Sequence, residues 1–533
     1  MRLPKKSLRW ALVALVPLLF LGAVKVDYFE ITKQIEIFNA VFREITTGYV
    51  EETQPGTLME NALKGLLNPL DPYTTFIPER DIENYRMMQT GQYGGIGATV
   101  RIVGEYVVLS AVHEGGPADK AGLHPGDLLL AADDVSLGTM DLEGVANILK
   151  GSPGSKIKCT YQHSGVEKTV VLTRAEIHMK AVPYYALIQP TIGYIVLTSF
   201  TETSYTEVRD ALSDLQKQGA TSLVLDLRSN PGGLVSSAVD IVNLFIPKGV
   251  IVVRTKGQLP ESDHEYKTLR EPMAPNLRIA VVIDGQSASA SEIVAGALQD
   301  LDRGVIVGEK SFGKGLVQQT RPLAYGAQLK MTVAKYHTPS GRCIQAYDYH
   351  QGDVRVRKAD SSHVFLTTKG RKVYEGGGID PDVKAGDRSL SPVLYSLLVQ
   401  GGLFDFARMY VAQHPAPSPP ESFRLHPADY ARFLSFVDNS NINLSSDVDE
   451  TLNKVEKMLK EDGYAEELAP SLAQAKKALA AARRAQLIAH KEQIAFALEI
   501  EIIGLYGYER SQAAFAAFQS PSVLKALEVL AND

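Results

Sequence analysis

The chain has 533 residues, 45% of them apolar and 22% charged, which is the balance of an ordinary globular protein and excludes an intrinsically disordered one. At ~100–200 residues per domain it predicts about three or four domains. Lys+Arg number 55 against 61 Asp+Glu, a formal charge of −6 that argues against a dedicated nucleic-acid binder, and two cysteines, Cys159 and Cys343, exclude a disulfide scaffold and a four-thiolate zinc site.

Arg2, Lys5, Lys6 and Arg9 precede an apolar run from Trp10 to Val24, followed by Lys25 and Asp27. A basic flank and an apolar run read as an export signal. The run is short for a membrane span, which needs about 17–25 residues. Residues 1–27 are therefore expected to be a signal peptide or an uncleaved N-terminal membrane anchor, rather than a buried helix, which four leading cations disfavour. No Cys follows the run, so lipoprotein processing is not expected. The remainder is expected outside the cytoplasm, in a periplasm.

From Tyr28 to Tyr85 the pattern is mostly helical. Ile31, Ile35, Ile37, Phe38, Val41 and Phe42 recur near a period of 3.6, and Leu58, Leu63, Leu66 and Leu67 repeat this in a second helix. Pro72 and Pro78 break the pattern. From Tyr93 to Ile177 the texture is β-rich, with strands expected at Val107–Ala111, Leu128–Ala131, Lys156–Tyr161 and Thr169–Leu172 and one helix at Asp141–Leu149. From Val182 to Asp382 strands alternate with helices: Ile192–Leu197, Tyr205–Gln218, Ser222–Leu227, Val235–Phe245, Arg278–Ile283, Ser289–Asp300 and Gly304–Val307. This alternation predicts an α/β layer with mostly parallel strands. Pro415–Pro420 reads as a linker. Helices are then expected at Lys454–Glu461, Ser471–Glu501 and Ser520–Leu530, packing on the core or on another subunit.

Three segments carry candidate chemistry. In Ile283-Asp-Gly-Gln-Ser-Ala-Ser-Ala-Ser-Glu-Ile293 a strand runs into a helix through small residues. A serine at such a turn is exposed for attack, and the free N–H groups of the helix favour developing negative charge. The same letters also allow Ser289 and Glu292 to be only a capping box. A nucleophilic serine needs a base. His337 and His350 have no motif that explains them. Lysine serves when burial lowers its pKa, and Lys314 lies between Gly313 and Gly315, with Phe312, Leu316 and Val317 to make its surroundings apolar and Gln318 to orient it. It reads equally as a solvated turn lysine. Asp226-Leu-Arg-Ser-Asn-Pro-Gly-Gly-Leu234 joins a buried strand to a helix, and its Pro231-Gly232-Gly233 turn brings backbone N–H groups close to a ligand. Asp226 and Arg228 also fit a plain ion pair holding that turn.

Taken in order, Ser287–Asp300, Phe-Gly-Lys-Gly (312–315), Gln318, Asp226–Gly233, Tyr-His-Thr-Pro-Ser-Gly-Arg (336–342) and Gly-Gly-Ile-Asp-Pro-Asp (377–382) resemble the carboxy-terminal processing proteases, or tail-specific proteases. The resemblance covers roughly residues 28 to 390. It implies Ser289, the middle serine, as nucleophile, Lys314 as general base and Gln318 as its orienting residue. The implied oxyanion donors are the N–H of Ala290 and that of Gly232 or Gly233. Tyr93-Gly-Gly-Ile-Gly97 and Gly116–Asp127 look like a PDZ domain, which adds a peptide as a strand and captures its terminal carboxylate. Gly95, Ile96 and Gly97 are the candidates for that loop, unless they only shape a turn. The long helical extension is similar in texture to that of members from the Bacteroidetes lineage.

The expected fold is a multi-domain α/β protein: a signal or anchor (1–27), an N-terminal helical region (28–90), an inserted PDZ domain (91–177), a crotonase/ClpP-like protease core (178–390) and a C-terminal helical extension (391–533). The expected function is a serine endopeptidase that recognises C-terminal tails and cuts through a Ser-Lys dyad. Its partners are protein or peptide C-termini, with no nucleic acid, and self-association is compatible with helices at both ends. The mechanism requires no metal or cofactor. The alternative is a catalytically silent periplasmic adaptor for protein C-termini. A crotonase-class hydratase or isomerase is disfavoured because nothing resembles a coenzyme-A site.

Overall fold

The computed structural model describes residues 28–532 apart from 104–105, 164, 351–352, 357–362, 387–389, 418, 441, 443–446 and 508. Residues 1–27, where the export reading falls, lie outside them. Among the described residues no helix is long and apolar enough to cross a membrane.

The chain divides into two units, one ending at Pro69 and one starting at Leu70. The first contains α1 (Tyr28–Gly48) and α2 (Pro55–Leu67). Along α1, Ile31, Ile35, Phe38, Phe42 and Ile45 fall on one face. None of its residues is buried, and Phe38 stacks on Phe42 at 6.2 Å. Pro55 opens α2 in the first turn, where its missing N–H costs no hydrogen bond.

The second unit begins with β1 (Thr75–Ile77) and α3 (Ile82–Thr90). The β-rich module follows: β2 (Gln92–Gly95), β3 (Ala98–Val103), β4 (Tyr106–Val112), α4 (Pro117–Lys120), β5 (Leu128–Ala132), β6 (Val135–Ser136), α5 (Leu142–Leu149), β7 (Lys156–His163), β8 (Val166–Thr173) and β9 (Ala175–His178). Strands β3-β4-β5-β7-β8 form an antiparallel sheet with β6 on β5, while β2 pairs β9. Asp141 caps α5 through the Gly144 amide, and Val145 and Leu149 of that helix pack on Ile96, Leu109, Leu129 and Ile157.

The core then runs β10 (Tyr184–Gln189), β11 (Ile192–Val196), α6 (Ser204–Lys217), β12 (Ser222–Asp226), α7 (Val235–Val242), β13 (Ile251–Gly257), β14 (His264–Lys267), β15 (Arg278–Ile283), α8 (Ala290–Asp300), β16 (Val305–Gly308), β17 (Leu316–Pro322) and β18 (Gln328–His337). Hairpins β19 (Tyr347–His350) with β20 (Asp353–Val356) and β21 (Val364–Leu366) with β22 (Lys372–Tyr374) precede β23 (Val383–Lys384). The main sheet has the order β10-β11-β12-β15-β16-β23 and is parallel except at its edge strand β10. All of β12 is buried, because apolar residues of α6, α7 and α8 cover one face and the last helix of the chain covers the other. A second sheet, β1-β18-β13-β14 with β17 also on β18, was not foreseen. Its longest strand, β18, reads QLKMTVAKYH and is mostly only half-buried, so no apolar run marks it.

The helical region comprises α9 (Pro392–Val399), α10 (Gly402–Val411), α11 (Pro427–Asn439), α12 (Asp447–Glu461), α13 (Ala465–Ala489), α14 (Lys491–Tyr506), α15 (Glu509–Gln519) and α16 (Pro521–Asn532). Two expectations are corrected. Ser471–Glu501 is two helices, broken at His490, and Pro470 sits inside the first of them. The Pro415–Pro420 stretch is a loop within this region, because Phe406 before it packs edge-on against Phe433 after it at 5.2 Å. The region also clamps the β-rich module. Phe404, Ile502 and Leu505 pack on Val108 and Leu128, while Arg101 of β3 lies 3.3 Å from the Phe404 ring centroid and pairs Glu501 at 2.9 Å.

Candidate active site

The site forms beyond the carboxyl end of β15, where parallel-sheet proteins place their ligands. Asp284 receives the Ser287 and Gln286 amides at 3.0 Å and reaches across to the Ser229 amide, also at 3.0 Å. Ser287 Oγ donates to the Leu227 carbonyl, and Ser291 Oγ to that of Asn230. The outer two serines thus tie this turn to the neighbouring Asp226–Gly233 turn. The middle one, Ser289, does something else. It holds φ 56° and ψ −112°, a strained conformation for a residue with a side chain, and it is 6% exposed. The expected capping box with Glu292 is present. An ordinary N-cap residue is extended, however, so the twisted backbone at Ser289 is beyond what capping needs.

Glu292 is fully buried and joins the two segments. It accepts the Ser289 amide at 2.8 Å, the Lys314 amide at 2.9 Å, the Gly313 amide at 2.7 Å and the Ser311 hydroxyl at 2.6 Å. Burial pushes its carboxyl up, and these donors oppose that. The amides of Ser289 and Lys314 meet the same oxygen. Both glycines beside Lys314 are required by close approach: a Cβ on Gly313 would stand 2.5 Å from that of Ala346, and one on Gly315 2.7 Å from the Gln345 nitrogen.

Burial is the main cause lowering the Lys314 amine to about 8. The Lys330 charge adds to it, and Glu292 and Asp71 oppose it. The wall differs from expectation. Phe312 is 42% exposed, and the ring beside the amine is Tyr73, with Lys314 Nζ 4.5 Å from its centroid. Gln318 donates to Thr332 Oγ1 at 3.3 Å, and no hydrogen bond joins it to Lys314 among the described residues. Tyr336, buried in β18, places its hydroxyl in hydrogen-bonding reach of the Ser289 side chain. Tyr73, Asp71, Lys330 and Tyr336 were missed as site residues. Only the motif around Tyr336 offered a signal. His337 lies opposite Arg254 in the β13–β18 pairing, and burial lowers its imidazole.

The two candidate glycines differ. Gly232 (φ 100°) abuts the serine turn: a Cβ there would lie 2.7 Å from the Ala288 oxygen and 2.8 Å from the Ala290 nitrogen. Its amide donates to Asn230 Oδ1 at 2.9 Å. The amides of Gly233 and Ala290 have no acceptor among the described residues. Asp226 and Arg228 do form the expected ion pair, at 2.7 Å.

In the β-rich module Gly95 is a strand residue paired with Ala175, Ile96 is buried, and Gly97 has φ 73°. The carbonyls of Ile96 and Gly97 accept from Ala118 and His113 at 2.8 Å, and their amides have no acceptor among the described residues. Cys159 and Cys343 are buried free thiols. Among the described residues no group of three or more His, Cys, Asp or Glu side chains is placed to hold a metal ion.

Family models match three stretches: peptidase family S41 over residues 191–356, a PDZ domain over 108–162, and the C-terminal helical domain of a probable PDZ-protease over 393–530. The carboxy-terminal-processing protease of Bartonella bacilliformis is 35% identical over 319 residues, covering 59% of this chain and 73% of that protein. A probable CtpA-like serine protease of Staphylococcus haemolyticus is 32% identical over 360 residues, covering 66% and 71%. Among solved structures, the photosystem II D1 C-terminal processing protease is 25% identical, with a TM-score of 0.36, over 65% of this chain and 86% of that one.

Proposed function

The chain belongs to peptidase family S41, as a serine-type C-terminal-processing peptidase with a PDZ domain, and from that premise we propose that it cuts peptide bonds with Ser289 as nucleophile and Lys314 as general base. The observation that carries this reading is the shared carboxylate oxygen of Glu292, which holds the amides of both residues at 2.8 and 2.9 Å.

Neutral Lys314 takes the proton from Ser289 Oγ as that oxygen attacks the peptide carbonyl. The amides of Ala290 and Gly233 receive the developing oxyanion. The Lys314 ammonium then gives its proton to the departing amine, leaving an acyl-serine. Water attacks the ester with Lys314 again accepting the proton, the bond from the acyl carbon to Ser289 Oγ breaks, Lys314 returns the proton to that oxygen, and the acid product leaves. Gln318 acts through Thr332, which it bonds, and not by a direct hydrogen bond to the amine. The free amides of Ile96 and Gly97 suit a terminal carboxylate, so the PDZ domain selects substrate tails and the core cuts them.

The basic and apolar leader supports a periplasmic protein, soluble or anchored through residues 1–27, and recovery of the activity in the periplasmic fraction tests that placement. The exposed apolar stripe of α1 supports self-association, readable by sedimentation. The mechanism itself is tested on an unfolded protein with an apolar C-terminus. Ser289→Ala and Lys314→Ala are expected to lose turnover by at least about 10³-fold while still binding the tail. Turnover near the wild-type rate in either variant would sink the dyad.

A further inference from the structure

We propose that Tyr73 is the positioning residue of Lys314: its ring face seats the amine and keeps water from it, so the floor under the base is supplied by a segment that precedes the PDZ domain. This rests on the reading of Lys314 as the base.

Four observations place the ring. Lys314 Nζ is 4.5 Å from the ring centroid, within cation–π range. The turn that carries Tyr73 is fixed from below by the buried Asp71, which accepts the Tyr73 amide at 2.8 Å, the Thr74 amide at 2.7 Å and the Thr74 hydroxyl at 2.9 Å. That turn is then stitched to the base's own sheet. Thr74 Oγ1 accepts the Thr332 amide at 3.2 Å, Thr332 Oγ1 accepts from Gln318, and Thr75 pairs Lys330 in register. Finally, Tyr349 meets the ring edge-on at 6.3 Å, and its hydroxyl interacts with that of Tyr73. Asp71, Thr74, Thr332 and Gln318 thus form one chain that holds the ring and the base strand together.

The ring acts on the amine in two opposed ways. Its negative face attracts the ammonium form. Its bulk excludes water, which disfavours that form. The other charges facing the amine are Lys330 from β18, Glu292 from α8 and Asp71 from the Tyr73 turn, and the Tyr349 hydroxyl interacts with that of Tyr73. Because burial is the dominant influence on Lys314, the two effects separate by substitution.

The test is the pH profile of kcat/KM for the full-length protein and three variants on one tail-bearing substrate. Tyr73→Phe keeps the face and the bulk, and its rising limb should keep the wild-type midpoint. Tyr73→Leu keeps the bulk without the face, and its midpoint should fall by about half a pH unit. Tyr73→Ser admits water, and its midpoint should rise by about one unit, toward the ordinary lysine range. A merely structural role would lower the amplitude and leave every midpoint alone. If wild type shows the limb, Lys314→Ala is inactive and the Leu and Ser variants keep the wild-type midpoint, the role of Tyr73 is overturned while the base stands. If Lys314→Ala keeps its turnover, both fall. Should Tyr73→Ser fail to fold, the downward shift of Tyr73→Leu decides alone.

Discussion

A lysine amine is a poor base at neutral pH unless its ammonium form is made unfavourable, and the surroundings of Lys314 do this through burial first and the Lys330 charge second. The same arrangement costs stability. The folded-state value, about 8, lies below the ordinary 10.5, so between those values the unfolded chain holds more protons and stability rises with pH. The cost is fully present below pH 8 and gone above pH 10.5. Lys314→Met is therefore expected to abolish turnover yet stabilise the fold at pH 7, by roughly 2 kcal/mol once partial exposure is discounted. Denaturant unfolding at pH 7 and pH 10 checks this, and the gain should shrink at the higher pH. A variant less stable than wild type at pH 7 would show that the amine is not held at such a cost. At this scale small residues and flanking glycines marked the turns of Ser289 and Lys314 as candidates, and their roles came only from the resemblance to a family. Glu292 was legible only as a capping partner, since nothing local says that it also receives Gly313 and Lys314. Tyr73 and Lys330 come near Lys314 only through long-range strand pairing, which carries no sequence signal.

Among the elements, the turn after β12 does as much for the site as the serine helix. Gly232 lies so close to Ser289 and Ala290 that only a residue without a Cβ fits, and its φ of 100° excludes most others. Gly232→Ala should push the two turns apart and lower kcat by 10²-fold or more, with little change in binding of a C-terminal peptide to the PDZ domain. Calorimetry with such a peptide beside single-turnover kinetics measures both. An unchanged kcat would mean that the contact between the turns is dispensable. The strands of the main sheet were legible because helices cover both faces, leaving continuous apolar runs such as that of β12. The second sheet was not. β18 pairs β17 along one edge and β1 and β13 along the other, and its half-buried face mixes Lys, Thr and Gln with apolar residues. The break at His490 escaped for a different reason: the alanine-rich stretch around it has neither Gly nor Pro to mark an end.

Across the unit that begins at Leu70, the site is assembled from distant parts of the chain. The turn before the PDZ domain supplies Tyr73, the core supplies the serine and lysine, and the last helix covers the opposite face of the sheet that carries them. The C-terminal helices also grip the PDZ domain through Arg101, Phe404 and Glu501. A substrate assay therefore reads tail capture and cutting together. Covalent labelling of Ser289 by a small sulfonyl fluoride isolates the proposed nucleophile and base from tail capture. Peptide mass mapping across pH 6 to 10 should place the adduct on Ser289, with a labelling rate that rises about a midpoint near 8 and collapses in Lys314→Ala. An adduct on another residue, or a rate on Ser289 indifferent to Lys314→Ala, would contradict the dyad.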